Sequence, residues 1–270
     1  MSAPVIVSCG AATHTGLRRS LNEDAHLAQA PLFLVADGMG GHEAGERASA
    51  AVVAEFQRLV GRDSIALDDV RFALTVSRGA VEALAADGAA GAGTTVSGVV
   101  VASVGGMGYW LALNIGDSRT YRYSGGELEQ ITVDHSVVQE LIDSGELTPE
   151  EARTDPRRNI ITRAIGGGSV GEADYWLFPA EVGDRMLICS DGLTSEVDDQ
   201  RILEVLAQET DPRRAADLLT AEAMDAGGRD NITVIVVDAV SVATHPGSLV
   251  HSDAVVEDTR PRETVNGGVR

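Results

Sequence analysis

The sequence contains no lysine, so all 21 of its basic residues are arginine. A P-loop requires a lysine that reaches the phosphates of the nucleotide, and this class of nucleotide-binding site is therefore excluded. Positive charge is scarce in general, since 41 acidic residues give the chain a formal net charge of −20. A protein that binds nucleic acid is normally basic, so we expect no nucleic-acid partner.

Long apolar runs and cysteines are also scarce. The longest apolar stretches, Val96–Val104 and Ile232–Val240, have the length of strands, and no basic segment followed by an apolar one opens the chain. We therefore expect neither a membrane helix nor a secretory signal. Only two cysteines occur, Cys9 and Cys189, and their apolar strand-like contexts predict buried thiols in a reducing compartment. We expect a cytoplasmic monomer with no membrane partner.

The remaining sequence alternates between helix-like and strand-like patterns. Apolar residues at helical spacing predict one helix pair at Glu43–Val60 and Leu67–Ala86 and a second pair at Asp199–Ala207 and Pro212–Ala226. Between the pairs, strands from Thr94 to Ile131 are separated by Gly-Gly and Gly-Asp turns, which indicates antiparallel hairpins. Such hairpins do not fit a doubly wound parallel sheet. We predict an α+β fold in which two antiparallel sheets stack and helix pairs cover their outer faces.

One domain is expected to account for most of the chain. With 44% hydrophobic residues, residues 1–241 can form a single core. From residue 242 the sequence loses periodicity and consists largely of small, polar and charged residues. We therefore predict that residues 242–270 are a disordered tail.

Acidic residues gather where predicted strands begin or end. The five positions are Glu23-Asp24, Asp37, Asp117, Asp191 and Asp230. An Asp-Gly pair is common turn chemistry, so any one of these positions carries little information. Leu34–Gly38 and Leu187–Gly192, however, share one design, an apolar strand that ends in Asp-Gly. Two such strands lying side by side would aim two carboxylates at one point.

Carboxylates held this close need a partner. Two of them a few ångströms apart repel by roughly 4 kcal/mol at an effective dielectric constant of 20, so they must protonate, pair with arginine or bind a metal. The candidate ligands are oxygen atoms only, which favours Mg²⁺ or Mn²⁺ over Zn²⁺. Two such ions can generate a hydroxide and stabilise an in-line phosphoryl displacement. Arg19, three residues before Asn22, is the candidate for binding phosphate oxygens in a bidentate fork.

Seven short segments, in a fixed order, carry a resemblance to a known family. The segments are Arg19–Asp24, Val35–His42, Gly93–Thr95, Asn114–Arg119, Thr132–Ser136, Ser190–Leu193 and Arg229–Thr233. In these segments the sequence resembles the metal-dependent PP2C-type (PPM) protein serine/threonine phosphatases in their compact bacterial form. The resemblance covers about residues 5–240. It implies a four-layer α-β-β-α sandwich with a metal cleft at one end.

The resemblance also implies two core metal ions, Mn²⁺ or Mg²⁺. Carried over to this sequence, Asp37 bridges both ions. Asp191 and Asp230 complete the coordination of the first ion. Glu23 and the Gly38 carbonyl hold the second.

Further roles follow from the same resemblance. Asp24 assists the second ion through water, and Asp117 together with Asp191 holds a weaker third ion. Arg19 binds the phosphate of the substrate. The segment of about 136–168 is the flap, which lies beside the cleft and influences the choice of substrate.

The implied activity is hydrolysis of phosphoserine and phosphothreonine on proteins. The mechanism is attack of a metal-bridging hydroxide on phosphorus, without a phosphoenzyme. Phosphorylated proteins are the implied substrates, and Ser/Thr protein kinases are the implied partners because a phosphatase opposes a kinase. The alternative is a pseudophosphatase, a binding module with the same fold and no turnover. Loss of a metal carboxylate would mark one, and none is lost in this sequence.

Met39 departs from the better-known animal members, which carry a histidine directly after the Asp-Gly pair as the proposed general acid. Either metal-bound water protonates the leaving group here, or another residue does. His42 is close in sequence, but its alternative role is to cap the helix that begins there, and His135 is expected to order a turn. Gly167–Gly171 formally matches the G-x-S-x-G nucleophile elbow, but no helix is predicted after it, so an esterase is disfavoured.

Overall fold

The computed structural model describes residues 3–40, 43–86, 91–169, 171–245 and 248–251. Within them the chain forms thirteen strands and seven helices. The strands are β1 (Val5–His14), β2 (Asp24–Gln29), β3 (Leu32–Met39), β4 (Gly93–Thr94), β5 (Val96–Val104), β6 (Met107–Ile115), β7 (Arg119–Ser124), β8 (Glu127–Gln130), β9 (Ile165–Gly166), β10 (Asp174–Pro179), β11 (Arg185–Cys189), β12 (Ile232–His245) and β13 (Ser248–His251). The helices are α1 (Ala44–Gln57), α2 (Leu67–Ala86), α3 (Val137–Asp143), α4 (Pro149–Ala152), α5 (Asp191–Thr194), α6 (Asp199–Gln208) and α7 (Pro212–Ala226).

The strands form two antiparallel sheets, which we name after their central strands. The β12 sheet has the order β1-β12-β11-β7-β8, with β13 also paired to β12. The β3 sheet has the order β10-β6-β5-β3-β4-β9, with β2 also paired to β3. Hairpins such as β5–β6 and β7–β8 connect neighbours directly, as the Gly-Gly turns predict.

Three apolar layers hold the sheets and helices together. Phe33 and Val35 of β3 pack between the sheets with Ile188 of β11, and all three are fully buried. Leu32 and Leu34, on the other face of β3, pack in the layer that contains the buried residues of α1 and α2. A third layer joins α6 and α7 to the outer face of the β12 sheet. This is the predicted α-β-β-α sandwich, and β3 is apolar throughout because both of its faces are buried.

Two strands run further than the sequence pattern indicates. The stretch 10–14 lacks the apolar alternation of a strand, but β1 continues through it because its backbone pairs with β12 as far as His14 opposite Ile232. β12 runs to His245 and pairs with β13, so the predicted tail boundary at 242 falls inside a strand. Val242 is buried and the Ala243 N–H donates to the Pro4 carbonyl, which explains the extension. Residues 246, 247 and 252–270 of the predicted tail lie outside the described residues.

The two cysteines differ in burial. Cys189 on β11 is fully buried, as predicted. Cys9 is exposed, so its predicted burial is wrong. Cys9 lies on β1, the edge strand of the β12 sheet, where an apolar sequence context does not guarantee cover on both faces. Among the described helices, none is long and apolar enough to cross a membrane.

Candidate metal centre

Asp37 lies at the end of β3, and its backbone is fixed on both sides. Its N–H donates to Thr95 Oγ1 at 3.1 Å. Its carbonyl accepts from the Thr95 N–H and from Thr94 Oγ1, both at 2.9 Å. Asp24 stands directly opposite Asp37 in the β2–β3 hairpin. The strand pair therefore brings two carboxylates to one end of the β3 sheet.

Asp191 reaches the same place from the other sheet. It follows β11 and begins the short helix α5, and its carboxylate lies close enough to Asp37 for its charge to raise the pKa of Asp37. The preceding residue, Ser190, donates from Oγ to Asp24 Oδ2 at 2.8 Å, which ties the two sheets together. The carboxylates of Asp37 and Asp191 therefore meet as predicted. The prediction that their strands lie side by side is wrong, because β3 and β11 belong to different sheets that face each other.

Asp230 and Arg19 complete the group. Asp230 immediately precedes the β12 strand, and Arg19 Nη2 donates to Asp230 Oδ2 at 2.7 Å. The Arg19 side chain is 50% exposed and that of Asp230 33%, so the pair is open to solvent. Arg19, the residue predicted to bind phosphate, therefore lies beside the acids and contacts Asp230, one of the candidate metal ligands.

Glu23 is positioned by Asn231 and by helix α1. Asn231 Oδ1 accepts from the Glu23 N–H at 2.7 Å, while Asn231 Nδ2 donates to the carbonyls of Thr15 and Leu21. The Glu23 carboxylate lies against Gly45 in the first turn of α1, where an added Cβ would collide with Glu23 Oε1. Asn231 therefore holds the loop that carries both Arg19 and Glu23.

Asp117 lies on a turn whose neighbours are fixed by polar contacts. Ser118 Oγ lies 2.8 Å from Thr95 Oγ1, which links this turn to the residue that fixes Asp37. His135 Nδ1 accepts from the Gly116 N–H at 3.1 Å, and His135 Nε2 lies 3.0 Å from Asp174 Oδ2. Both ring nitrogens of His135 are thus engaged, and its role is to order this turn.

The carboxyl groups shift each other's proton affinity. Burial, and then repulsion by Asp24, Asp191 and Asp117, raises the pKa of Asp37 well above its usual range. Burial and then the Asp191 charge do the same to the pKa of Asp117. Burial is also the first cause that raises the pKa of Asp24 to about 7 and that of Asp191 to about 6. Removing charge from this cluster, by protons or by cations, is therefore favourable.

The residues present fit divalent cations. Three carboxylate oxygens are buried without a hydrogen-bond partner, namely Glu23 Oε1, Asp24 Oδ1 and Asp191 Oδ1. The donor set is oxygen only, which suits Mg²⁺ or Mn²⁺. Within the described residues, no three His, Cys, Asp or Glu side chains lie close enough together to hold an ion by themselves.

The raised pKa values predict that the metal-free protein loses stability as the pH rises. Below about pH 4 these acids are protonated in both the folded and the unfolded state; between pH 4 and 7 the folded state binds more protons. The free energy of unfolding therefore falls across this range, because the unfolded chain releases these protons at a lower pH than the folded protein does. In EDTA we expect a lower melting temperature at pH 7.5 than at pH 5, and we expect Mn²⁺ to restore it at pH 7.5.

Two comparisons make this prediction specific to the cluster. Asp24→Asn should flatten the pH dependence in EDTA, because one of the acids with a raised pKa is gone. Asp68→Asn removes one charge from a side chain that is 95% exposed, and it should leave the pH dependence in EDTA close to that of the parent. A metal-free protein as stable at pH 7.5 as at pH 5 would contradict the prediction.

Several supporting residues had no role assigned from the sequence. Thr95, Ser190 and Asn231 fall within the matched segments, but their contacts join residues that are far apart in the chain. The sequence feature that could identify such supporting residues is a polar side chain inside an apolar strand or at its end. Met39 is partly buried and pairs with Gly93, and its thioether has no proton to donate. His42 lies outside the described residues.

A four-layer α-β-β-α sandwich with an oxygen-only acidic cleft at one end is the architecture of the metal-dependent phosphatase class. A profile of the protein phosphatase 2C family matches residues 14–225. The serine/threonine protein phosphatase PstP of Mycobacterium tuberculosis is 41% identical over 241 residues, which is 87% of this chain and 46% of PstP. The serine/threonine phosphatase stp of Listeria monocytogenes is 36% identical over 77% of this chain and 84% of its own length. The chain belongs to the protein phosphatase 2C family.

A solved structure supports the same conclusion. The catalytic domain of PstP in complex with two manganese ions superposes with a TM-score of 0.79 at 38% identity, covering 87% of this chain and 98% of that domain. The chain spans about half the length of the full PstP protein, and it corresponds to the part that carries the catalytic domain.

Proposed function

We propose that this protein is a metal-dependent protein serine/threonine phosphatase that hydrolyses phosphoserine and phosphothreonine on proteins. The observation that carries the proposal is the meeting of Asp37, Asp191 and Asp24 from two sheets, with unpartnered buried oxygens, beside Arg19. Such a group of acids is unfavourable without cations, and the arginine next to it matches the anionic group that a phosphatase must bind. The manganese-bound PstP domain and the named relatives support this assignment.

In this proposal two Mn²⁺ or Mg²⁺ ions bind in the cleft. Asp37 is the shared ligand, because the other acids surround it. Asp191 and Asp230 complete one site, and Glu23 and the Gly38 carbonyl complete the other. When bound, two such ions activate a water for attack on phosphorus and neutralise the charge of the transferring phosphoryl group.

Two further acids have supporting roles in the proposal. Asp24 accepts a hydrogen bond from Ser190 and is opposite Asp37, which suits contact with an ion through water. Asp117 shares a weaker third ion with Asp191 in this proposal, and the influence of the Asp191 charge on the pKa of Asp117 supports it. Arg19 binds the substrate phosphate with the part of its guanidinium that Asp230 leaves free.

The direct test is phosphate release from a phosphothreonine peptide in Mn²⁺ and in EDTA. We expect turnover that requires the metal. A pseudophosphatase would bind the peptide and release no phosphate with any divalent ion, and that result would overturn the proposal. Ser/Thr protein kinases are the proposed opposing enzymes, and a cytoplasmic monomer stays a prediction.

Arg19→Ala is expected to raise KM for a phosphothreonine peptide roughly tenfold, because a charge-assisted fork to the phosphate is lost. The effect on kcat should be smaller, since the acids remain. Steady-state kinetics in saturating Mn²⁺ measure both. Arg18→Ala removes the same charge one residue away, from an exposed side chain, and is the matched control. Equal losses in the two variants would point to general electrostatics instead of a phosphate contact.

A further inference from the structure

A cavity of about 490 Å³ extends from the acidic cleft to the flap. Asp117 and Asp191 line it at the candidate metal centre. Its other lining residues come from strands β7 and β8, from the α5 region and from flap residues 136–159. The volume lies in the usual range for ligand sites, so a substrate segment can occupy it while its phosphate lies at the acids.

The core side of this cavity is acidic, but its acids already have donors. The pairs are Asp134 with Arg119 at 2.7 Å, Glu196 with Arg229 at 3.0 Å, and Asp199 with the Tyr121 hydroxyl at 3.2 Å. Asp198 accepts from the Arg201 N–H as the cap of α6. These carboxylates are therefore occupied and do not recruit a cationic ligand.

The flap side presents free donors instead. Arg153 and Arg158 line the cavity, and their guanidinium groups make no hydrogen bond or ion pair with another described residue. Asn159 beside them also lines the cavity with its amide unused by the described residues. In contrast, Arg157 in the same segment pairs with Asp155 at 2.8 Å and does not line the cavity.

Hydrogen bonds at the base of the flap join its two ends and attach it to the core, which keeps these arginines near the cleft. The Val137 N–H donates to the Ile160 carbonyl at 2.9 Å within the flap, and the Thr162 N–H donates to the carbonyl of His135 in the core at 2.8 Å. Thr148 and Glu151 form a capping box that begins α4, the helix directly before Arg153. The two guanidinium groups thus belong to an ordered wall.

We propose that Arg153 and Arg158 form a subsite for an anionic side chain of the substrate, close in sequence to the phosphorylated residue. The ligand chemistry is a carboxylate or a second phosphate group, which the planar guanidinium binds in a bidentate fork. This inference rests on the proposed function and specifies its substrate class: phosphoproteins in which acidic or further phosphorylated residues flank the target. In a chain with a net charge of −20, two unpaired arginines beside the cleft also favour the approach of such a substrate.

The test compares kcat/KM for phosphothreonine peptides of equal length in Mn²⁺. One peptide is neutral, one carries acidic residues before the phosphothreonine, one carries them after it, and one carries a second phosphothreonine. We expect about a fivefold preference for at least one anionic peptide, because the guanidinium groups are exposed and each contributes modestly. The preference should decrease as salt rises from 50 to 500 mM.

Three variants then test whether Arg153 and Arg158 cause the preference for anionic peptides. The double variant Arg153→Ala, Arg158→Ala should bring the ratio of anionic to neutral peptide to about one. The double variant Arg153→Glu, Arg158→Glu should reverse it, while Arg157→Ala should leave it as it is in the parent. No preference in the parent, or a preference that survives the double alanine variant, would overturn the subsite. Failure to release phosphate from any of the four peptides in Mn²⁺ would instead overturn the proposed function, so the two failures are distinguishable.

Discussion

Asp37→Asn is expected to reduce phosphate release from a phosphothreonine peptide roughly a thousandfold in saturating Mn²⁺, or about 4 kcal/mol of transition-state stabilisation. Asp37 is the acid on which the charges of Asp24, Asp191, Asp117 and Asp230 all act. Asparagine keeps the size of the side chain and removes the negative charge that two cations would share. The substitution therefore affects both proposed ions at once.

The same substitution should leave the fold intact. Because burial and repulsion raise the pKa of Asp37, its ionised form destabilises the metal-free protein at neutral pH. We expect the Asn variant in EDTA at pH 7.5 to unfold at the parent temperature or above it, and calorimetry should detect weaker Mn²⁺ binding. Asp68→Asn, at an exposed acid, is the control for loss of one charge. Near-normal turnover of Asp37→Asn in saturating Mn²⁺ would rule out the assignment of Asp37 as the shared ligand.

The elements with strong local patterns could be predicted from the sequence. The bounds of α2 and α7 are those the apolar spacing predicts, and the Thr148 capping box begins α4 as expected. The apolar run of β3 identifies a strand buried on both faces. The pattern cannot say which strand lies beside it in the sheet and which faces it across the core, since both contacts require the same apolar residues. This is why β3 and β11 were predicted as neighbours and lie in facing sheets.

Backbone pairing explains the other differences. The stretch 10–14 has a polar sequence typical of a loop, but its backbone groups pair with β12. The main-chain hydrogen bonds of an edge strand do not require alternating apolar side chains, so the sequence pattern does not predict them. Cys9 lies on the same edge strand, and it is exposed because an edge strand need not be covered on both faces.

The acids of the candidate site could be predicted because five acidic positions gather at strand ends, two of them share one design of an apolar strand that ends in Asp-Gly, and their segments resemble one family. The residues that position them could not. Thr95 fixes Asp37 from 58 positions away, and Asn231 fixes Glu23 from 208 positions away. Such contacts depend on the tertiary arrangement. That Arg153 and Arg158 have no partner among the described residues likewise cannot be read from the sequence, because it depends on which acids the other arginines bind.

Gly38 shows how the structure changes the interpretation of one predicted ligand. Every residue has a carbonyl, so a role of the Gly38 carbonyl in metal binding does not by itself require glycine. In the structure, a Cβ at Gly38 would collide with the backbone carbonyl group of Gly45 in α1 and lie 2.6 Å from the Glu23 carbonyl oxygen. The Gly38 N–H also donates to that Glu23 carbonyl at 3.2 Å. Glycine is needed here because the first turn of α1 packs directly on the backbone of β3.

Gly38→Ala is therefore expected to lower the free energy of unfolding by roughly 3 kcal/mol, the upper part of the usual range for overpacking, and to weaken Mn²⁺ binding because α1 and Glu23 must move. Chemical denaturation in EDTA measures the first effect and calorimetry the second. Gly79→Ala is the matched control: Gly79 lies within α2 with no atom within 4 Å of an added Cβ, so alanine there should stabilise the protein by about 0.5–1 kcal/mol. If Gly38→Ala were as stable as the parent but failed to bind Mn²⁺, the need for glycine would lie in the metal site instead of in the packing of α1.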